Sequence, residues 1–276
     1  MSGTSSERIS ALWQTRYRTA APETLPDNAV LDLLLSHHSV RAYLPDALPE
    51  GTLEAGIAAA SSAATSSNLQ VWSVVAVENP ETRAKLAELC GGQKHIEVAP
   101  LFLAWIVDLS RLERIAERAG TGHEALDYEE IFLMATLDTG IAAQNAVTAF
   151  ESLGLGTVYI GGLRNHPEEV ARLLSLPPRS VAVVGLCVGQ PDPAAQNGHK
   201  PRLGQDVVLH RERYSIENEA AGIAAYDRIA DDYQKEQGLS SRAWSETVAS
   251  RVDSFKGLSG RHVMRTVLHK LGFPLR

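Results

Sequence analysis

The sequence is short of cysteine: its two, Cys90 and Cys187, stand far apart and form no Cys-x-x-Cys pair. That excludes a disulfide framework and a thiolate zinc site, and it fits a reducing compartment. Cys187 lies in the apolar run from Val181 to Val188 and reads as a buried structural thiol. Long hydrophobic runs are missing as well. The longest, Pro100 to Val107 and Val181 to Val188, fall far below the roughly 20 residues of a membrane-spanning helix. Residues 1 to 26, rich in Ser, Thr and Arg, hold no continuous apolar stretch of the signal-peptide kind. A soluble, cytoplasmic protein without a membrane partner is therefore expected. Excess positive charge is lacking too. A net charge of −7 argues against a nucleic-acid partner, which would call for clustered Lys and Arg. A small basic pocket is still compatible with it.

Several catalytic signatures are absent. There is no Gly-x-Gly-x-x-Gly, because Gly154, Gly156, Gly161 and Gly162 have the wrong spacing for a Rossmann site. No phosphate loop ends in Gly-Lys-Ser/Thr. The run Gly257-Leu258-Ser259-Gly260 is one residue short of a nucleophile elbow. His37 and His38 are adjacent, so they point apart in most backbones, and no second ligand pair stands at metal spacing. No metal site is expected.

What is present is an ordinary globular composition, 44% hydrophobic and 21% charged in 276 residues, enough to bury a real core. Helix and strand patterns alternate, which suggests an α/β or α+β sheet layered with helices. A helix is predicted from Pro49 to about Ser61, then a Ser/Thr-rich loop to Asn68, whose side chains compete for backbone hydrogen bonds. Val71–Val77 reads as a strand rich in β-branched residues. Pro80 opens a helix that ends at Gly91-Gly92. Pro100–Val107 is a further strand, followed by a helix for which the Ser110 hydroxyl is the expected cap. Tyr128–Leu153 reads as a long helix, small or apolar nearly all round over Gly140–Ala149, and so packed on several sides. Thr157–Ile160 and Val181–Val188 complete four or five strands. After Pro191 a polar loop leads to three charged helices with narrow apolar stripes (Ile223, Tyr226, Ile229, Tyr233; Val263, Val267, Leu271). Such stripes suit helices lying on another surface, such as a second subunit.

Four polar segments stand out: His37-His38-Ser39-Val40-Arg41; Thr65-Ser66-Ser67-Asn68-Leu69-Gln70; Gly91-Gly92-Gln93-Lys94-His95; and Tyr159-Ile160-Gly161-Gly162 with the later Lys200-Pro201-Arg202-Leu203. Singly each has a plain explanation, as a helix end, a C-cap, a loop or a solvated charge. Together with "AQNA" at Ala143–Ala146 and "ESLGLGTVYIGGLRN" at Glu151–Asn165, they resemble the nitroreductase family. The branch is that of the oxygen-insensitive NADPH nitroreductases and P-type flavin reductases. The segments keep the family's order over about residues 30 to 276, leaving 1–29 as an extension before one flavin-binding domain.

The resemblance implies an α+β fold with a central mixed or antiparallel sheet wrapped by helices, and a C-terminal helical arm, about 205–276, on a partner subunit. It implies FMN held non-covalently at a homodimer interface, with NADPH as hydride donor. His37, His38, Ser39 and Arg41 then serve the phosphate and ribityl chain, together with Lys200 and Arg202. Arg forks onto phosphate oxygens while Lys acts as a point charge. Gln93 meets the pyrimidine edge of the flavin, for which its amide offers both a donor and an acceptor. Tyr159, Ile160, Gly161 and Gly162 form the loop beneath the ring, where a backbone N–H of Gly161 or Gly162 is aimed at N5. Thr65, Ser66 and Ser67 contact the cofactor, and the same stretch with Asn68 lines the acceptor pocket. Arg242 stands for the arginine that receives the 2′-phosphate of NADPH. No side-chain acid or base is required, since the flavin carries the chemistry. The implied activity is ping-pong electron transfer to nitroaromatics, quinones or similar small acceptors. Supply of reduced flavin to a monooxygenase is the alternative, and a non-catalytic flavin-binding protein is a third reading. Two residues depart from the family pattern. His38 replaces a usual arginine, exchanging a permanent charge for a titratable one, and Asn68 replaces an aromatic over the acceptor.

Overall fold

Four β-rich segments pair into one antiparallel sheet of order β1-β2-β4-β3: β1 Trp72–Val77, β2 Leu101–Asp108, β3 Gly156–Ile160 and β4 Ser180–Gly189. The structure is a computed structural model and describes residues 5–195 and 198–276. Every residue of β2 is buried, and β4 is covered nearly throughout. This is why both read as unbroken apolar runs rather than alternating ones: helices cover both faces of the sheet centre. On one face the long helix Glu129–Ser152 lays Ala142, Ala143, Ala146, Val147 and Phe150 against Leu101, Leu103, Trp105 and Leu186. On the other, Phe102, Ala104, Ile106 and Cys187 pack with Leu86, Ala87 and Val170 of the helices Pro80–Leu89 and Pro167–Leu173. Both cysteines are free and buried, and burial pushes the Cys90 thiol up to about 12.

The described residues fall into two units. The first takes in the chain up to His38 and then position 198 to Leu258; the second is Ser39–Ala195 with Ser259–Arg276. The second holds the sheet, and the end of the chain belongs to its core, with Leu268, Phe273 and Leu275 packed on Val71, Val107, Leu109 and Ala135. The first is helical: Ser5–Tyr17, Ala29–Ser36, Glu219–Glu236 and Trp244–Val252. In it Tyr226 and Tyr233 of the predicted stripe are buried, together with Ala230 and Ile9, while Ile223 and Ile229 are half-buried. Ion pairs Arg8–Asp32 (3.0 Å) and Arg18–Glu236 (2.7 Å) fasten the Ser5–Tyr17 helix within this unit.

Two expectations need correction. Ser110 does not cap its helix. Leu109 is the N-cap residue, and the Ser110 hydroxyl donates to Asp108 (2.5 Å), whose carboxylate also accepts from Ser73 (2.6 Å) and Arg111 N–H (3.4 Å). A carboxylate two residues upstream outcompetes the hydroxyl for the free N–H because it carries a full charge. The long helix is likewise not enclosed within this chain. Leu133, Leu137 and Ile141, at i, i+4 and i+8, are 57%, 59% and 45% exposed. Its buried side carries alanines with Val147 and Phe150, while Leu133, Leu137 and Ile141 face outward.

Candidate functional site

In the sheet-bearing unit, the segment after His38 runs along the free edge of β3. Ser39 forms a parallel bridge with Thr157, and Val40 N–H donates to Thr157 O at 2.9 Å. Gly156 makes this approach possible, because a Cβ there would lie 2.7 Å from the Val40 side chain. Tyr43 OH donates back to Val40 O at 2.7 Å and fixes the turn. Arg41 is left exposed, and no carboxylate among the described residues pairs with it.

The Gly91-Gly92-Gln93 turn is built by the helix before it. Asn79 caps the start of Pro80–Leu89 by accepting Thr82 N–H at 2.9 Å. At the far end Gly91 and Gly92 take φ of 89° and 73° and return their N–H groups to Glu88 O and Ala87 O. Only glycine takes such angles without strain. The turn delivers Gln93, whose Nε2 donates to Cys90 O at 2.8 Å. The Gly161–Arg164 turn arrives at the same place from β3. A Cβ at Gly162 would lie 2.7 Å from Cys90 O and 2.7 Å from Gln93 Nε2. Gln93 and the Gly161-Gly162 turn are thus brought together, and the glycine is required by contact. Gly161 and Gly162 open a 3-10 turn, where N–H groups have no acceptor within the helix. Close by, Arg261 Nε donates to Asn165 at 3.0 Å, and the Arg164 guanidinium donates to Val183 O. Burial first and Arg261 second hold the Arg164 pKa below its ordinary value. His95 Nε2 is buried without a partner, and burial and then Arg41 press its imidazole toward the neutral form.

Tyr159 sits on the exposed side of β3, with its hydroxyl 3.5 Å from Gln144 of the long helix, while Ile160 is buried. The Thr65–Gln70 loop is held from below by the same helix. Asp138, buried in its middle, accepts from the Thr65 hydroxyl (2.7 Å) and Ser66 N–H (3.0 Å). Thr65 is therefore committed to Asp138, whereas Ser66, Ser67 and Asn68 are exposed. Ser67, Asn68 and Gln70 all have positive φ (48°, 54° and 51°), an arrangement that persists only when its surroundings enforce it.

In the helical unit, His37, His38, Lys200 and Arg202 are gathered around Arg16. The Arg16 guanidinium donates to His37 O (2.7 Å), Leu35 O (2.8 Å) and Lys200 O (3.1 Å). His38 Nδ1 and His199 Nε2 meet one carbonyl, Ser36 O, at 3.2 and 2.8 Å, with their rings 4.7 Å apart. Burial lowers the His199 pKa, a shift the Ser36 carbonyl opposes and His38 and Arg16 reinforce. Lys200 and Arg202 are exposed, and no carboxylate among the described residues pairs with either. Arg242 is exposed just ahead of the helix Trp244–Val252, with Nε 3.8 Å from Glu246.

Four residues here escaped the sequence reading. Asp138 carried a signal, as an acid amid small and apolar neighbours. His199 carried a weaker one beside Lys200. Arg261 and Arg16 carried none, since neither belongs to a segment that stands out in sequence. No cluster of metal-binding side chains occurs among the described residues, nor any helix long and apolar enough to cross a membrane.

Comparison with known proteins gives these features a context. Residues 34–190 match the family model described as "Nitroreductase family", and residues 200–276 that of its C-terminal domain. The "FMN reductase [NAD(P)H]" of Bacillus subtilis is 36% identical over 252 residues, 90% of this chain and 99% of that protein. The "Oxygen-insensitive NADPH nitroreductase" of Salmonella typhimurium is 36% identical over 248 residues, 89% of this chain and 98% of its own length. Among solved structures, that of NfrA2 from B. megaterium superposes with a TM-score of 0.85 at 37% identity, covering 90% of this chain and 99% of its own.

Proposed function

The chain belongs to the nitroreductase family, and on that premise we propose that it is an FMN-dependent oxidoreductase that takes hydride from NADPH and reduces nitroaromatics, quinones or similar small acceptors. The observation that carries the reading is the contact of Gln93 with Gly162. An amide with both a donor and an acceptor stands beside a turn that tolerates no side chain and opens with N–H groups that have no acceptor within their own helix. That donor set suits the polar edge and N5 of a flavin. The charges suit its phosphate: Arg41, Lys200 and Arg202 are cations without carboxylate partners among the described residues, and a dianion pairs with such groups through charge-assisted bonds.

FMN, when bound, supplies hydride acceptance and donation at N5. The protein supplies position and charge. The family resemblance assigns His37, His38, Ser39, Arg41, Lys200 and Arg202 to the phosphate and ribityl chain, where an arginine would offer a fork and a lysine a point charge. Gln93 orients the pyrimidine edge. The N–H of Gly161 or Gly162 would stabilise negative charge on the reduced flavin, in the manner of an oxyanion hole. Tyr159 and Ile160 carry that turn. Thr65, through Asp138, holds Ser66, Ser67 and Asn68 in place toward cofactor and acceptor. Arg242, whose Nε lies 3.8 Å from the exposed Glu246, is assigned to the 2′-phosphate of NADPH. The flavin-binding domain is taken as 30–276, with 1–29 as an extension and the arm from about 205 to 276.

A homodimer belongs to this reading. The outward stripe Leu133, Leu137 and Ile141 on the long helix is apolar, and a second copy of the chain is the occupant assigned to it. A chain that stays monomeric at micromolar concentration in sedimentation, with FMN bound, contradicts it.

The test of function is steady-state kinetics with NADPH against a nitroaromatic and, separately, against free FMN. Parallel double-reciprocal lines with the nitroaromatic support the proposal. Higher kcat/KM for free FMN favours the flavin-reductase role, and tight FMN binding without NADPH oxidation favours a binding protein.

A further inference from the structure

The helix Ser5–Tyr17 precedes both family matches, which start at residues 34 and 200. It is fastened by Ile9, which is buried, and by the ion pairs Arg8–Asp32 and Arg18–Glu236. Arg16 does something else. It is 7% exposed, and its guanidinium reaches backbone carbonyls in two distant segments: Leu35 O and His37 O on one, Lys200 O on the other. The Arg16 carbonyl in turn accepts Arg202 N–H at 2.9 Å. One residue is thus bonded to both of the segments that carry His37, His38, Lys200 and Arg202.

Two features separate this from ordinary helix packing. Burying a guanidinium is expensive unless its donors are met, and here carbonyls meet them while leaving the charge unpaired. No carboxylate among the described residues pairs with Arg16, and burial first and the cation Arg202 second press its pKa below the ordinary value. A neutral side chain would dock the helix at lower cost. A planar fork is needed only if the two segments have to be held at a set spacing beside an uncompensated positive field.

We propose that Arg16 is a positioning residue for anion binding, clamping the His37–His38 and Lys200–Arg202 segments at the spacing that the phosphate of the flavin nucleotide requires. The inference rests on the flavin reading above and extends it to a helix outside the family matches. Arg16 acts through the two segments and also adds to the positive potential that draws a dianion in.

The test uses four full-length proteins: unmodified, Arg16→Ala, Arg16→Lys and Arg18→Ala. Each is titrated with FMN and with riboflavin, which shares the ring but lacks the phosphate, by flavin fluorescence. Arg16→Ala weakens FMN about tenfold or more and riboflavin less than about twofold, the scale of one lost charge-assisted contact set. Arg16→Lys recovers part of the loss, and Arg18→Ala leaves both affinities in place. Equal weakening of FMN and riboflavin, or no change in either, overturns the proposal. If the unmodified protein binds neither flavin, the cofactor reading itself falls. Amide exchange of the flavin-free proteins then decides the clamp. Faster exchange at 35–38 and 199–203 in Arg16→Ala, but not in Arg18→Ala, upholds it, and unchanged exchange refutes it.

Discussion

Asp138 is one carboxylate in the buried middle of a helix, and its Thr65 and Ser66 partners show why it is there. It keeps three positive-φ residues from relaxing. Asp138→Ala leaves Thr65 Oγ1 and Ser66 N–H unpaired and is expected to destabilise the protein by about 1–3 kcal/mol in urea titration. Its kinetic effect falls on the KM for the acceptor more than on that for NADPH. Gly162→Ala acts at the Gln93 turn. Its Cβ collides with a backbone oxygen that cannot move and with Gln93, so Gln93 is displaced. The expected result is a folded protein with about tenfold weaker FMN affinity, the loss of about one good polar contact set. Retention of full affinity excludes Gln93 as a flavin contact. Asp108 makes a prediction in pH. Burial raises its pKa, but hydrogen bonds from Ser110 and Ser73 and the charge of Arg111 outweigh that and leave it lowered. A folded pKa below the unfolded value of about 3.9 gives stability that is present above that value and lost as pH falls through the folded pKa. Urea midpoints measured from pH 7 downward are expected to show a shallower acid decline for Asp108→Asn, from a lower plateau.

At the scale of elements, much was legible because local chemistry and tertiary role agree. Pro80 and Gly91-Gly92 bracket a helix whose observed span is Pro80–Leu89, since one fits a helix start and the others need positive φ. β2 and β4 were readable as runs because both are covered on both faces. The long helix was legible as a helix, but its environment was not. Small residues all round look the same whether a helix is enclosed by its own chain or by a copy. The outward placement of Leu133, Leu137 and Ile141 is a tertiary fact that composition does not encode. Leu137→Glu places a charge in that stripe and is expected to shift the protein toward monomer in analytical ultracentrifugation, with secondary structure kept. An unchanged sedimentation coefficient sends the stripe to another role. Ser110 and Asp108 show the same on a smaller scale, because Ser110 is the expected cap and only the fold reveals that the Asp108 carboxylate accepts the Arg111 N–H.

Over the whole molecule, the Gln93 turn, the Gly161-Gly162 turn, the Thr65–Asn68 loop and the Lys200–Arg202 cations were readable as a set because each carries a distinctive residue pattern. Their supports were not. Arg16, Asp138, His199 and Arg261 act through backbone carbonyls, carboxylate–amide bonds or ring contacts with residues far away in sequence; Asp138 and, more weakly, His199 carry a local signal, and Arg16 and Arg261 carry none. Nor was the split of the charged tail visible, in which Ser259–Arg276 leaves its neighbours and joins the sheet's core. What unites these residues is the proposal that the chain holds FMN and reduces it with NADPH. The most direct test is an absorbance spectrum of the purified protein, before and after NADPH. Flavin bands near about 370 and 450 nm that bleach on NADPH are the expected result. The absence of such bands even after incubation with FMN, or bands that persist under excess NADPH, contradicts it.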